Sequence, residues 1–172
     1  MQKIVMLIIV FIFITSYVFS QKNAFSIAAG PSVGFAIGNQ SHNYYYKNAV
    51  GGTLQANYGV TKLGTITATF TYLSIGAKNL PVTKTSLTQI KLGYKTGFLN
   101  SGFFAAADAG LSGYYKGLND FVFSASAGYS FKVSSSSYID MFPAYSIIAG
   151  TPNNKMWLTA NALFRFNLPK KK

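Results

Sequence analysis

The chain is 172 residues long, carries a formal charge of +12, and contains no Cys, one His and only three acidic side chains, all Asp. Charged residues make up 10% of it, against about 25% in an ordinary soluble domain. Disulfide scaffolds, multi-ligand His/Cys metal centres and paired-carboxylate hydrolases are therefore poorly supplied from the start.

The N-terminus opens with Met1-Gln2-Lys3, continues through the apolar run Ile4 to Ile14, and reaches Val18-Phe19-Ser20. This order of positive start, apolar stretch and tolerable cleavage residues is that of a secretory signal peptide, predicted to span residues 1–20 with cleavage after Ser20. No Cys follows to take a lipid anchor. The retained-helix alternative is less economical, because the run is short for a span and no stop-transfer pattern follows. The predicted organisation is a signal peptide (1–20), one domain (21–168) and a basic tail (169–172).

After the signal the chain alternates with period two, and side chains of a strand alternate between faces. The first predicted strand, Ala24 to Gly38, places Phe25, Ile27, Ala29, Val33, Phe35 and Ile37 on one face and small residues on the other. The second, Ala49 to Thr61, sets Leu54, Ala56, Tyr58 and Val60 against Thr53, Gln55 and Asn57. The third, Thr65 to about Ile75, sets Ile66, Ala68, Phe70 and Tyr72 against Thr65, Thr67, Thr69 and Thr71. The apolar phase then changes at Leu73, and a β-bulge is expected there. In the fourth, Ser86 to Thr96, Ile90, Leu92 and Tyr94 oppose Gln89, Lys91, Gly93 and Lys95.

The fifth, Gly102 to Tyr115, opposes Phe103, Ala105, Ala107, Ala109 and Leu111 to Phe104, Ala106, Asp108, Gly110 and Ser112. The sixth is Asp120 to Val133, DFVFSASAGYSFKV, with Phe121, Phe123, Ala125, Ala127, Tyr129, Phe131 and Val133 on its greasy face. The seventh, Tyr138 to Ala149, carries Asp140, Phe142, Ala144 and Ser146 inward, with Pro143 in the outward row. The eighth, Lys155 to Leu168, sets Met156, Leu158, Ala160, Ala162, Phe164 and Phe166 against Trp157, Thr159, Asn161, Leu163, Arg165 and Asn167.

Eight long alternating strands joined by short connections predict an all-β, eight-stranded, antiparallel up-and-down transmembrane barrel. Soluble strands average only about 5–6 residues, and a soluble sandwich would need charge where this chain has Ser, Thr, Gly and Ala. The greasy faces then meet lipid. With both termini in the periplasm, the connections near 61–64, 97–101 and 134–137 become periplasmic turns. The longer segments 39–48 and 77–85 face outward.

Eight strands leave an interior that side chains can fill, so no wide pore is expected. The small inward residues of the first, third and sixth strands suit either tightly curved walls or a narrow wet cavity. Five inward charges are candidates for lumen ion pairs. Symmetric turns would set Lys91 opposite Asp108 and Asp140 opposite Arg165, with Lys132 one diagonal step from Asp140.

Catalytic constellations are not supplied. The single His42 lies in the outward segment Gln40 to Asn43, without an acidic neighbour or a second His, and a serine triad would have to borrow it. Neither a catalytic residue nor a cofactor or metal site is expected. Gly30, Gly34 and Gly38 recur every four residues, but on a strand they merely share the inward face. Asn39-Gln40-Ser41 is a short sequon match of little weight.

The basic excess has a plainer use. Removing Lys3 with the signal lowers the charge from +12 to +11. Lys47, Lys78, Lys84, Lys116 and Lys155 fall in or beside outward loops, where lipopolysaccharide phosphates would be met, and nucleic-acid binding is not expected. Lys170-Lys171-Lys172 reads as a solvated run. Tyr44-Tyr45-Tyr46, Tyr58, Tyr72, Tyr94, Tyr114, Tyr115, Tyr129 and Tyr138 are candidates for interfacial girdles.

Thr159 to Phe166 (TANALFRF) resembles the C-terminal signal by which barrel proteins are recognised for insertion. With Ser32-Val33-Gly34-Phe35, Thr71 to Lys78 and Ile90 to Lys95, the mature chain is similar to the small outer-membrane β-barrel proteins of the Bacteroidota, including those called PorT-like, and to eight-stranded OmpA-like and OmpW-like barrels. The resemblance implies a cell outer-membrane location and insertion by barrel-assembly machinery, and no particular substrate. A non-enzymatic structural or interaction role is the leading expectation. Passage or binding of a small, apolar solute is the alternative, motivated by Pro143 and the phase change at Leu73, and an accessory part in a secretion machine is a third.

Overall fold

The computed structural model describes residues 24–37, 46–61, 63–77, 84–98, 102–114, 118–149 and 154–168. The signal peptide, the lysine tail, His42, the sequon, Tyr44, Tyr45, Tyr115, Lys78 and Lys116 lie outside the described residues. Eight strands follow one another: β1 (Phe25–Ile37), β2 (Tyr46–Gly59), β3 (Gly64–Ala77), β4 (Lys84–Gly97), β5 (Phe103–Tyr114), β6 (Asp120–Lys132), β7 (Ser137–Ala149) and β8 (Lys155–Asn167). Each pairs antiparallel with its neighbours in sequence, and β1 pairs with β8, so the sheet closes into a barrel. Closure leaves no strand edge unpaired, which is what backbone placed in hydrocarbon requires.

Alternation in the sequence becomes a division between outside and inside. Phe25, Ile27, Leu54, Phe70, Ile90, Leu92, Phe121, Phe123 and Phe166 are exposed on the outer wall, while Ser32, Thr53, Thr67, Gln89, Ser112, Asp140 and Trp157 are buried within. An outer wall this apolar is matched to lipid, not to water.

The two mouths differ. One carries the start of β1, the end of β8 and the short sequence connections β2–β3, β4–β5 and β6–β7, and is here the turn end. Two of these turns are tied by side chains: Thr61 Oγ1 accepts from the Gly64 amide at 2.7 Å, and Ser134 Oγ accepts from the Ser137 amide at 3.1 Å. The other mouth, the loop end, carries the ends of β1, β3, β5 and β7 and the starts of β2, β4, β6 and β8.

Three expectations are corrected. No bulge occurs at Leu73: β3 pairs without interruption through Gly51↔Leu73 and Leu73↔Leu87, and the one β2–β3 irregularity lies between Tyr46 and Ala49. Leu73 and Ile75 keep the inward parity of Thr67, Thr69 and Thr71 and are fully buried. The lumen's chemistry changes there, not the strand's phase.

Asp108 stands opposite Gly93, and Lys91 opposite Gly110. The turn after β4 runs from Phe98 to Gly102, whose φ of 74° places the left-handed residue at its far end. The turn is thus centred later than symmetry about 97–101 assumes, and moving a turn's centre by one residue moves every partner by two.

Asp140 stands opposite Leu163, and Arg165 opposite Tyr138, because the ladder closes at Ile148↔Lys155. Lys132 stands opposite Tyr138 at the turn-end rim, where it is exposed.

Candidate functional site in the barrel lumen

Inward side chains divide the lumen into three layers. At the loop end, Ala49, Leu73, Ile75, Leu87, Val122, Ile148 and Trp157 form a fully buried apolar cluster, with Ala36 and Tyr114 packed against it. These come from β2, β3, β4, β6, β7 and β8, so the cluster is contributed from nearly the whole circumference. The Trp157 indole donates through Nε1 to Tyr114 Oη at 2.6 Å, and Lys155 Nζ lies 4.3 Å from the centre of the Tyr114 ring. Such a cluster excludes water, so ions and polar solutes meet a dry barrier there.

Below it lies a belt of short polar side chains. Ser32 Oγ donates to Asn161 Oδ1 at 2.7 Å and accepts from Thr53 Oγ1 at 2.8 Å, and Thr53 Oγ1 in turn lies 3.0 Å from Thr71 Oγ1. Gln55 donates to Thr69 Oγ1 at 3.1 Å, and Thr67 to Asp108 Oδ1 at 3.1 Å. Lys91 Nζ donates to Ser124 Oγ at 3.1 Å, and Ser124 meets Ser146 at 2.8 Å. Threonine and serine repeat here because each strand offers one inward position per level, and a hydroxyl can both give and accept. The free space left in the belt, about 20 Å³, is room for roughly one water.

Toward the turn end, three charged side chains meet. Lys95 Nζ on β4 donates to Asp140 Oδ2 on β7 at 2.7 Å. Arg165 Nε on β8 lies 3.1 Å from the same oxygen, though its N–H is not aimed for a hydrogen bond. Ser130 Oγ donates to Asp140 Oδ1 at 2.6 Å, so both carboxylate oxygens are engaged. Aromatic faces back both cations: Lys95 Nζ lies 3.7 Å from the Phe104 ring centre, and the Arg165 guanidinium carbon 4.6 Å from that of Tyr138. Asp140 is fully buried.

Beyond this cluster the turn-end mouth opens as a cup of about 380 Å³, lined by residues that include Ser26, Thr65, Lys95, Phe104, Ser130 and Arg165. Asp140 and Arg165 are thus brought together diagonally, Lys91 and Asp108 sit in the polar belt without direct contact, and Lys132 remains at the rim. Lys95, the partner that adjacent-strand reasoning misses, reaches Asp140 across the barrel. Its inward parity was readable, and closure of eight strands sets β4 against β7 and β8.

Glycine permits a close approach between β4 and β5. A Cβ on Gly93 would strike the Asp108 carboxylate and lie 2.5 Å from the Ala107 carbonyl oxygen. Two prolines also mark the wall. Pairing of β1 with β8 lapses at Gly30 and Pro31, and pairing of β6 with β7 lapses at Ala127 and Gly128, opposite Pro143 and Phe142. In both places the register resumes unchanged. Among the described residues, no group of three His, Cys, Asp or Glu side chains converges.

No protein-family profile matches the chain, and no curated protein does. Solved structures do. The outer membrane protein OprG from Pseudomonas aeruginosa aligns at TM-score 0.61 and 10% identity over 88% of this chain and 99% of its own. Neisserial surface protein A aligns at 0.63 and 15%, over 84% and 97%. Ail, the attachment invasion locus protein of Yersinia pestis, solved in complex with the heparin analogue sucrose octasulfate, aligns at 0.57 and 14%, over 85% and 100%.

Proposed function

We infer that this all-β closed eight-stranded barrel lies in the outer membrane, a reading supported by its solved neighbours, which are outer-membrane proteins. From this we propose that it is an integral outer-membrane protein with a structural or interaction role, without enzymatic activity and without a continuous water path. The observation that carries this reading is the dry loop-end cluster around Trp157, Leu73 and Ile148, all fully buried. Ions that enter the polar belt would have to cross it.

In this reading residues 1–20 are removed on export, the turn end faces the periplasm, and the loop end faces outward. Basic segments near Lys47, Lys84 and Lys155 then lie where lipopolysaccharide phosphates are, and assembly proceeds through the barrel-insertion machinery. Placement within the Bacteroidota barrels, PorT-like proteins among them, rests on the sequence resemblance, as does an accessory part in secretion.

The test is conductance across a planar bilayer, with cell fractionation alongside. The refolded protein should show no steady current, and Trp157→Ala combined with Leu73→Ala should produce one. A steady wild-type current would overturn the closed-lumen reading, and recovery of the protein from the soluble periplasm would overturn the membrane reading.

A second reading, binding or passage of a small apolar solute through the wall, is favoured by the ladder lapses at Pro31 and Pro143. It requires local opening, since a Cβ on Gly30 would strike the Ala162 carbonyl and one on Gly128 the Met141 carbonyl. Apolar probes that leave the amide resonances of Gly30 and Gly128 unmoved would count against it.

A further inference from the structure

The turn-end cup holds more positive charge than the barrel supplies negative charge to meet. Lys95 and Arg165 share one carboxylate, Asp140. None of the cup's lining residues is acidic. The next carboxylate inward, Asp108, receives a hydrogen bond from Thr67 and stands in the belt with Lys91. Between the cup and the apolar cluster, three inward cations (Lys91, Lys95, Arg165) therefore face two carboxylates (Asp108, Asp140). An uncompensated charge in a confined space is costly, and an exchangeable counter-ion relieves it.

The donors are arranged to receive such an ion. Arg165 Nε is turned inward, 3.1 Å from Asp140 Oδ2 and buried, while Nη2 at the outer end of the guanidinium makes only a long 3.4 Å contact with Ser130 Oγ on the cup lining. A guanidinium fork with open donors fits a carboxylate or phosphate in a two-point contact that a lysine cannot copy. Hydroxyls of Ser26 and Thr65 stand on the same lining. Phe104 and Tyr138 supply ring surface, and Phe98 lies exposed at the rim. At about 380 Å³, the space falls at the small end of the roughly 300–1,000 Å³ usual for ligand sites.

We propose that the turn-end cup binds a small amphipathic anion, a carboxylate or phosphate head group at Arg165 and Lys95 with a short apolar body against Phe104, Tyr138 and Phe98. The head group can come from a soluble metabolite entering along the barrel axis or from a phospholipid at the rim. The site goes beyond the structural role proposed above and does not depend on the loop-end cluster being closed.

The experiment uses the refolded protein in an uncharged maltoside micelle, followed by amide NMR. Phenyl phosphate represents the soluble source, a short-chain phosphatidic acid the lipid source, and benzyl alcohol the neutral control. At least one phosphate probe should shift the amides of Gly97, Ser130, Tyr138 and Asn167 saturably while leaving Trp157 and Leu73 unmoved, and whichever probe does so names the source. Benzyl alcohol should not. Inorganic phosphate should displace the probe from wild-type protein, a measurement that needs no variant to fold. Arg165→Gln should weaken binding by about tenfold or more, as loss of a charge-assisted pair implies, whereas Lys132→Gln should change it little. Absence of any saturable shift, equal shifts from benzyl alcohol, failure of inorganic phosphate to compete, or unchanged affinity in a folded Arg165→Gln protein would each overturn the proposal.

Discussion

Lys95 and Asp140 join opposite walls of the barrel: Nζ on β4 lies 2.7 Å from Oδ2 on β7, and the two strands do not pair with each other. A contact of this kind braces the closed barrel against ovalisation, which ladder hydrogen bonds alone resist only locally. Because Asp140 is fully buried and also meets Arg165 and Ser130, its removal strands two cations. Asp140→Asn should therefore destabilise the barrel by about 3–5 kcal/mol, measured by urea unfolding in detergent. A double-mutant cycle with Lys95→Met should return a coupling energy of about 1–3 kcal/mol. A coupling near zero would mean that the two side chains do not meet in the folded protein. Lys132→Gln, on an exposed rim residue, should stay within about 0.5 kcal/mol.

The loop-end cluster gives a second test. Trp157 is its largest fully buried side chain, and its indole is held by Tyr114. Trp157→Ala should cost about 3–5 kcal/mol, from lost burial and the cavity left behind. Tyr114→Phe should cost about 1–3 kcal/mol, because the buried Trp157 indole N–H loses this acceptor. If Trp157→Ala proves neutral, the cluster does not hold the lumen together.

The strands and their facing were legible in the sequence because period-two alternation is written directly into residue type. Phe121, Phe123 and Phe131 announce a greasy face whatever surrounds them. The apolar cluster was not, because Leu73 and Ile75 obey the strand's parity while breaking the rule that inward means polar. A one-dimensional pattern cannot distinguish an inward Leu from a slipped strand. The charged cluster was half legible. Parity and turn counting point to Asp140 and Arg165, yet the ladder is centred one residue earlier than a symmetric loop implies, and the length of the arginine spans the resulting diagonal. For Lys91 and Asp108 the same error of two in register separates the pair, since Asp108 faces Gly93 instead. Lys95 required closure of the barrel, which is long-range information.

The outer wall should respond to charge by depth. Leu92 lies well inside β4 and is 65% exposed, whereas Phe131 lies one residue from the end of β6 at the turn end. If both face hydrocarbon as proposed, Leu92→Arg should cost about 2–4 kcal/mol in lipid vesicles and Phe131→Arg about 0–1 kcal/mol. Equal costs, or none at Leu92, would mean that this band does not sit in a bilayer.

Gly93 provides the most direct test of the β4–β5 register. Its partner is Asp108, and a Cβ placed on it would collide with the Asp108 carboxylate and lie 2.5 Å from the Ala107 carbonyl oxygen. A flexible carboxylate can swing away, but a ladder carbonyl cannot move without breaking its strand pair. Gly93→Ala should therefore destabilise by about 1–3 kcal/mol, as overpacking against fixed atoms does, and Asp108→Ala added to it should not restore stability. Gly52→Ala makes the contrast: its nearest neighbour would be the Gly30 carbonyl oxygen at 3.4 Å, an ordinary contact. That change should be close to neutral or slightly favourable, because alanine restricts the unfolded chain more than glycine does. Were Lys91 opposite Asp108 after all, position 93 would face Ala106, and the collision with Ala107 and Asp108 would vanish. Unfolding midpoints that fall for Gly93→Ala but hold for Gly52→Ala would fix the register, and a Gly93→Ala protein as stable as wild type would refute it.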